Sequence, residues 1–220
     1  MIPAKKVYLD PIETNHRLAD LGLTEPMLTE SVDRGLAAWA SCTANHPPQF
    51  AGISMWAEAT CRVRELLIPE GWNRLNECNL PLTVNAAGTI AISVSSGDEF
   101  TGDATNEPCT KSSKGPRTRI AVADNEAQYK LFPDMALTPE DLKNLGARET
   151  WILLFHRNYE NHEVRCELSR PINISAEGKV DGWAERIILK SRPFGGDRLE
   201  IHNAEPPQTP DIKVNISRRA

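Results

Sequence analysis

The fold is decided by residues 151–189, which read WILLFHRNYENHEVRCELSRPINISAEGKVDGWAERIIL. Five consecutive apolar residues open this stretch, and apolar residues alternate with polar ones after a polar turn. Such segments, bounded by turns, predict β-strands joined as hairpins. We therefore expect an antiparallel meander of three strands. The strands are expected from Trp151 to Phe155, through Val164, Cys166 and Leu168, and from about Trp183 to Leu189, with turns at residues 158–161 and 175–178.

Upstream of this meander, the apolar residues follow a helical period. Three helices are expected between residues 10 and 75, with Gly22 suited to end the first and Thr24 suited to cap the second. Residues 82–94 alternate around a turn at residues 85–88, which predicts another hairpin. Because helices precede most of the strands, the sequence predicts an α+β fold with N-terminal helices packed on a mostly antiparallel β-sheet.

These elements predict a single α+β domain over residues 1–204. Its helical part covers about 10–75 and its mainly β part about 80–204, and a chain of this length can bury a substantial core. Residues 205–220 are expected to form a Pro-rich linker and a terminal strand or tail. Segments Leu199–His202 and Ile212–Ile216 are candidates to extend the sheet.

Two segments between the hairpins have helical features. Residues 117–131 keep helical spacing, although Ile120-Ala121-Val122 fits a short strand equally well, so helix and strand both stay open. Further along, Thr138 is expected to cap a short helix that ends before Gly146.

Composition narrows the class of protein. The 220 residues carry a formal net charge of −5 and a pI of about 5.6, which argues against nucleic-acid binding through bulk positive charge but leaves room for a local basic patch. The five cysteines are odd in number and lack the spacing of a zinc site. We find no signal peptide and no membrane-spanning stretch, so a cytoplasmic protein with free thiols and no membrane partner is expected.

The most distinctive feature is a switch of charge within the loop at residues 96–119. Residues 96–103 contribute three carboxylates and no cation, and residues 111–119 contribute four cations and no carboxylate. If a helix starts at Pro116, its free N–H groups add to the basic segment and favour an anion or an acidic partner surface. Alternatively, the two charged segments face each other or water. The candidate anion- or partner-binding residues are Lys111, Ser112, Ser113, Lys114, Arg117 and Arg119.

The carboxylates of the same loop suggest a second kind of site. Asp98, Glu99 and Asp103 with a nearby lysine are the minimum set for a nuclease that uses Mg or Mn. The spacing of a calcium loop is missing, because no bidentate Glu stands twelve positions on. Outside this alternative, we predict no catalytic residues, no metal site and no cofactor.

Charged and aromatic residues elsewhere are expected to have structural roles. Five charged residues are predicted to form one face of the antiparallel sheet, which is either solvated or docks a protein partner. They are Arg157, Arg165, Glu167, Glu185 and Arg186. Five tryptophans fall within predicted elements or at their ends, so core packing is favoured over base stacking. They are Trp39, Trp56, Trp72, Trp151 and Trp183.

Six short strings together carry a resemblance. They are LGLT (21–24), NHPP (45–48), SGDE (96–99), KGP (114–116), CELSRP (166–171) and GWAERI (182–187). With these strings the chain resembles, over most of its length, uncharacterised bacterial proteins carried on integrative mobile elements and in defence-type gene clusters. The resemblance implies an accessory protein that acts with its neighbours, and it implies no activity and no catalytic residues.

The resulting functional prediction is a non-enzymatic binding or accessory subunit. It is expected to act with a larger protein partner, in a bacterial anti-phage or mobile-element system. The alternatives are the metal-dependent nuclease described above and a sequence-tolerant nucleic-acid-binding protein, whose affinity would fall steeply with salt.

Overall fold

A computed structural model describes residues 6–132 and 135–194. The predicted Pro-rich tail at residues 205–220 and the two candidate strand segments within residues 199–216 lie outside these described residues. Five helices and eight strands are present in the described ranges, and they alternate in chain order as a short strand, three helices, a three-stranded unit, two helices and a final group of strands.

The three N-terminal helices form where helical periodicity predicts them. The side chain of Asp10 accepts hydrogen bonds from the backbone N–H groups of Ile12 and Glu13, which caps the first helix. Residues 116–131 are a helix and not a strand, and Thr138 with Asp141 forms a capping box at the start of the fifth helix. The helices are α1 (Pro11–Asp20), α2 (Glu25–Ala40), α3 (Phe50–Leu67), α4 (Pro116–Leu131) and α5 (Pro139–Leu145).

The strands form one mixed sheet in the order β1-β7-β6-β5-β4-β3-β2, and β8 pairs with β6. Five of the seven pairings among the described strands are antiparallel, which confirms the predicted α+β class with a mostly antiparallel sheet. The strands are β1 (Lys6–Tyr8), β2 (Asn73–Glu77), β3 (Leu80–Val84), β4 (Ile90–Ser96), β5 (Glu149–Asn158), β6 (Glu163–Ile174), β7 (Val180–Ile188) and β8 (Arg192–Pro193).

The predicted hairpin and the predicted meander meet through a parallel pairing. Strands β4 and β5 run side by side from the pair Ile90–Glu149 to the pair Ser96–Phe155, and α4 and α5 lie in the connection between them. Both strands therefore end at the same edge of the sheet. This arrangement brings the charged loop that follows β4 next to the residues that follow β5.

Helices cover both faces of the sheet. The larger core cluster joins α1, α2 and α3 to one face, where Met55, Val94 and Phe155 are buried together. Helix α4 packs on the opposite face through Val122, against Ile152 and Leu154. In the part of the chain that the structure describes, no helix has the length and apolar character needed to cross a membrane.

The predicted solvated face of charged residues is wrong. Glu167, Glu185 and Arg186 are buried. Because consecutive residues of a strand point to opposite faces of the sheet, Glu185 shares one face with its β6 partner Arg170, and Arg186 shares the other face with its partner Ser169 and with Glu167. Each carboxylate is paired with an arginine on its own face of the sheet. Glu185 accepts hydrogen bonds from Arg17 of α1 at 2.8 and 3.1 Å, and Glu167 accepts one from Arg186 at 2.9 Å.

Candidate anion-binding cleft

A cleft of about 1340 Å³ lies at the edge of the sheet where β4 and β5 end. One wall is formed by α3 and the end of α2, and the other by the segment at residues 111–115 that leads into α4. The floor includes Ser95 and Ser96 of β4 and His156 of β5. In sheets with parallel strands and crossover helices, ligands bind in the crevice outside the carboxyl ends of the strands, so the position itself favours a binding site.

Cationic side chains outnumber carboxylates around this cleft. Four cations and two carboxylates line it, although the whole chain carries a net charge of −5. A concave, partly desolvated surface with this balance attracts anions. The cations are Lys111, Lys114, Arg157 and Arg165, and the carboxylates are Glu99 and Glu160.

Lys114 is held in the cleft, and no carboxylate within residues 6–132 and 135–194 pairs with it. Its Nζ donates a hydrogen bond to Ser95 Oγ at 2.6 Å, and its backbone N–H donates to the carbonyl of Gly178 at 2.8 Å. Burial lowers the pKa of Lys114 from 10.5 to about 8, because the charged ammonium loses water and no anion in the described part of the chain replaces it. A bound anion would supply the missing compensation.

Arg157 reaches the cleft from the face of the sheet that α1, α2 and α3 cover, whereas Ser95 and Lys114 lie on the face that α4 covers. Its guanidinium carbon lies 4.2 Å from the ring centroid of Trp39 and 5.5 Å from that of Tyr159. Its Nη1 is buried and has no hydrogen-bond partner among the described residues. Burial lowers the pKa of Arg157, although the group stays charged. The aromatic rings therefore orient a guanidinium that has an unused hydrogen-bond donor.

Residues 112–115, which follow Lys111, lead into the uncapped N-terminus of α4. Gly115 is the N-cap of α4 in extended conformation, and none of the side chains that the structure describes caps the helix. Ser112, Ser113 and Gly115 line the cleft and are exposed. The first N–H groups of a helix have no partner within the helix, so Arg117 and Thr118 present donors near this wall. The wall thus combines backbone N–H groups, hydroxyl groups and an ammonium group, which is a set suited to oxyanions.

Backbone hydrogen bonds fix the basic segment to the sheet. Thr110 N–H donates to the Val180 carbonyl at 2.9 Å, and Lys111 N–H donates to the Ser96 carbonyl at 2.9 Å. The preceding residues are fixed by a buried ion pair, because Arg186 donates to the carbonyls of Asp103 and Asn106 at 2.9 and 2.8 Å. The wall is therefore formed before any ligand binds.

The predicted acidic cluster does not neutralise the basic segment. Asp98 accepts hydrogen bonds from the backbone N–H groups of Phe100 and Cys109, and Asp103 accepts them from Thr105 and Asn106, which hold the pKa of Asp103 well below its usual range. Within residues 6–132 and 135–194, no salt bridge links these aspartates or Glu99 to a lysine or arginine of the basic segment.

The same residues do not converge as a metal site. Asp98 and Asp103 are occupied by backbone and side-chain donors of their own loop, and only Glu99 of the three lines the cleft. Among the residues that the structure describes, no group of three or more His, Cys, Asp and Glu side chains is arranged to hold a metal ion. The nuclease alternative therefore gains no support from this geometry.

The structure separates the predicted binding residues into two sets. Lys111, Ser112, Ser113 and Lys114 line the cleft, whereas Arg117 and Arg119 do not. The guanidinium of Arg119 lies beside Gly178 in the β6–β7 turn, and a hydrogen bond with the Cys78 thiol raises the pKa of Arg117. Both arginines are exposed and lie outside the cleft.

Sequence reasoning missed the residues contributed by α2, α3 and β5. Trp56 is 37% exposed and lines the cleft, so core packing alone does not explain it. Trp39 packs against the larger core cluster, as predicted, and its partly exposed side chain also lines the cleft. Arg157 lies near the end of β5, and the sequence predicts it to be part of a charged sheet face. Only the parallel pairing of β4 with β5 shows that these positions belong to one site.

No protein-family model matches this chain, and neither the curated proteins nor the solved structures contain one that is significantly similar to it.

Proposed function

We propose that this protein is a non-enzymatic binding protein whose cleft takes a phosphate-bearing anion. The observation that carries this proposal is the Lys114 ammonium group, which is held in the cleft by Ser95 and has no carboxylate partner among the described residues. A partly buried, unpaired cation costs folding free energy. A role in binding explains why such a group is placed there.

The other cleft residues support a phosphate over a single carboxylate. Phosphate has several acceptor oxygens and takes donors from more than one direction. Lys114 and the N-terminus of α4 lie on one side of the cleft, and Arg157 with its unused Nη1 lies on the other. A single carboxylate offers too few acceptors for donors on both walls, whereas linked phosphates satisfy them together.

The direct test is calorimetric titration with inorganic tripolyphosphate at pH 7. Lys114→Met removes the charge while keeping a side chain of similar length, and it should weaken binding at least about tenfold, because a hydrogen bond to a charged group contributes roughly 1.5–3 kcal/mol. Lys130→Met is the matched control, since Lys130 is an exposed lysine of α4 that pairs with Glu126. Equal affinity in all three proteins would reject the cleft as the anion site.

Binding should also depend on pH in a direction set by Lys114. Its pKa of about 8 means that the ammonium is protonated at pH 7 and loses its proton as the pH rises above about 8. Tripolyphosphate itself loses a proton in this range, so the wild type is compared with Lys114→Met at each pH. The ratio of wild-type to variant affinity should fall between pH 7 and pH 9, because only the wild type loses the ammonium charge of Lys114. A ratio that is constant over this range would contradict the assignment.

The wider role that we propose is that of an accessory subunit of a larger protein, in the cytoplasm of a bacterium that carries an anti-phage or mobile-element system. Arg117 and Arg119 support a partner surface, because they are exposed, lie outside the cleft and have no salt-bridge partner among the described residues.

Copurification with a co-encoded protein tests the partner surface. The double variant Arg117→Glu with Arg119→Glu should lose the partner while it keeps tripolyphosphate binding. Partner recovery equal to that of the wild type would exclude this surface.

A further inference from the structure

We infer that the ligand of the cleft is a single-stranded nucleic acid, with bases stacked on Trp56 and on the Trp39–Arg157–Tyr159 platform. This inference rests on the proposed function, because it assumes that the cationic side chains hold phosphates. It goes further by assigning the aromatic side chains of the same cleft to the bases.

Trp56 provides a fixed aromatic surface. Its indole Nε1 donates a hydrogen bond to the Val94 carbonyl at 3.0 Å, which fixes the orientation of the ring at the end of β4. More than a third of the residue remains exposed, and it lines the cleft. A large aromatic side chain that is held by a hydrogen bond but left partly open is suited to stack on a planar group.

A second stacking platform lies at the end of β5. Arg157 stacks over Trp39, the rings of Trp39 and Tyr159 meet edge to face with centroids 6.1 Å apart, and Tyr159 is 48% exposed. Guanidinium planes and aromatic rings both stack on bases, and the guanidinium also binds phosphate. Phosphate-binding and base-stacking groups therefore line the same cleft.

The size of the cleft favours a chain over a single nucleotide. Its volume of about 1340 Å³ exceeds the roughly 300–1,000 Å³ of pockets that enclose small ligands. Grooves that bind single strands combine a positive path for the backbone with aromatic side chains for successive bases. In a duplex the bases stack on one another, so they are not available to Trp56 or Tyr159.

Fluorescence anisotropy with a labelled twelve-residue oligothymidylate provides the test. An abasic strand of equal length carries the same phosphates without bases, and poly-glutamate carries negative charge without phosphate. We expect the abasic strand to bind at least about fivefold more weakly than oligothymidylate, since each stacked base contributes roughly 1–3 kcal/mol. We expect no binding of poly-glutamate at the same concentrations.

Variants of Trp56 assign the base contact. Trp56→Leu should remove most of the difference between oligothymidylate and the abasic strand, whereas Trp56→Phe keeps an aromatic ring and should retain most of it. Urea denaturation of each variant confirms that it is folded. Oligothymidylate should quench the tryptophan fluorescence of the wild type. The quenching should be weaker in Trp56→Leu, because Trp72, Trp151 and Trp183 are buried and a bound base does not reach them.

The outcomes separate the two proposals. Equal affinity for oligothymidylate and the abasic strand, or binding of tripolyphosphate with no binding of oligothymidylate, would overturn the nucleic-acid inference and leave the phosphate-binding function standing. Binding of poly-glutamate as tight as that of oligothymidylate would overturn both, since the ligand would then be an acidic peptide. A protein that binds none of these probes would also overturn both.

Discussion

The substitution Lys114→Met is expected to make the protein more stable and less able to bind. At pH 7 the folded protein must keep a proton on a lysine whose pKa has fallen from 10.5 to about 8. At about 1.4 kcal/mol for each pKa unit, this corresponds to a cost of roughly 3 kcal/mol. Methionine avoids this cost but loses the hydrogen bond that the charged ammonium donates to Ser95, which contributes about 1.5 kcal/mol. Partial access of water reduces the cost further, so the expected gain is about 1 kcal/mol.

The pH dependence of this gain has a defined sign. The pKa of Lys114 is lower in the folded protein than in the unfolded chain, so between pH 8 and pH 10.5 the unfolded chain holds a proton that the folded protein has released. Wild-type stability therefore rises with pH across this window relative to the variant. The advantage of Lys114→Met should be full at pH 7 and should shrink as the pH increases.

Urea denaturation of the wild type, Lys114→Met and Lys130→Met measures this effect. The control should stay within about 0.5 kcal/mol of the wild type, because it loses only an exposed pair within one helix. A loss of more than about 1 kcal/mol in Lys114→Met would refute the reasoning, since Lys114 would then be a structural residue.

Three further substitutions test the framework around the cleft. Glu185→Gln should lower the free energy of unfolding by about 3–5 kcal/mol in urea denaturation, because it leaves two buried arginines without their shared carboxylate, and a loss below about 1 kcal/mol would contradict this. Arg186→Lys should increase amide hydrogen exchange in residues 98–109, because a lysine cannot reproduce the bonds of the guanidinium to two backbone carbonyls and a carboxylate. Unchanged exchange in residues 98–109 would show that Arg186 does not hold this loop in place. Gly102→Ala should lower the free energy of unfolding by about 1–3 kcal/mol, because φ at Gly102 is +74° and the new Cβ would lie 2.9 Å from Cβ of Arg165. The control is Gly52→Ala in α3, whose new Cβ would meet no described atom within 4 Å and which should raise the free energy of unfolding by about 0.5–1 kcal/mol. Equal effects of the two substitutions in thermal or urea unfolding would count against strain at Gly102.

Local patterns predicted most of the elements correctly. The helices of residues 10–75, the hairpin around residues 85–88 and the final meander follow from apolar spacing and turn residues. The strand β2 was missed because its sequence, NRLNE, contains one apolar residue and is mostly exposed. The strand β1 was missed because three residues are too few to show a period.

The buried charges were not predictable from local pattern. Glu185 has the sequence context of a solvated sheet position, and its burial depends on Arg17, which is 168 residues away in the sequence. The cleft also depends on contacts between residues that are distant in the sequence. Its basic wall was predicted from a run of charges. Arg157 faces that wall across the cleft only because β4 and β5 pair in parallel across a connection of more than fifty residues.

Nuclear magnetic resonance of isotope-labelled lysine side chains gives the most direct measurement of the central claim. The Lys114 resonance, identified by its loss in Lys114→Met, should titrate with a pKa of about 8 in the free protein. Saturation with tripolyphosphate should raise that pKa by at least one unit, since a tenfold preference of the anion for the protonated lysine requires this shift. A pKa that stays the same in the free and the saturated protein would show that the anion does not contact Lys114.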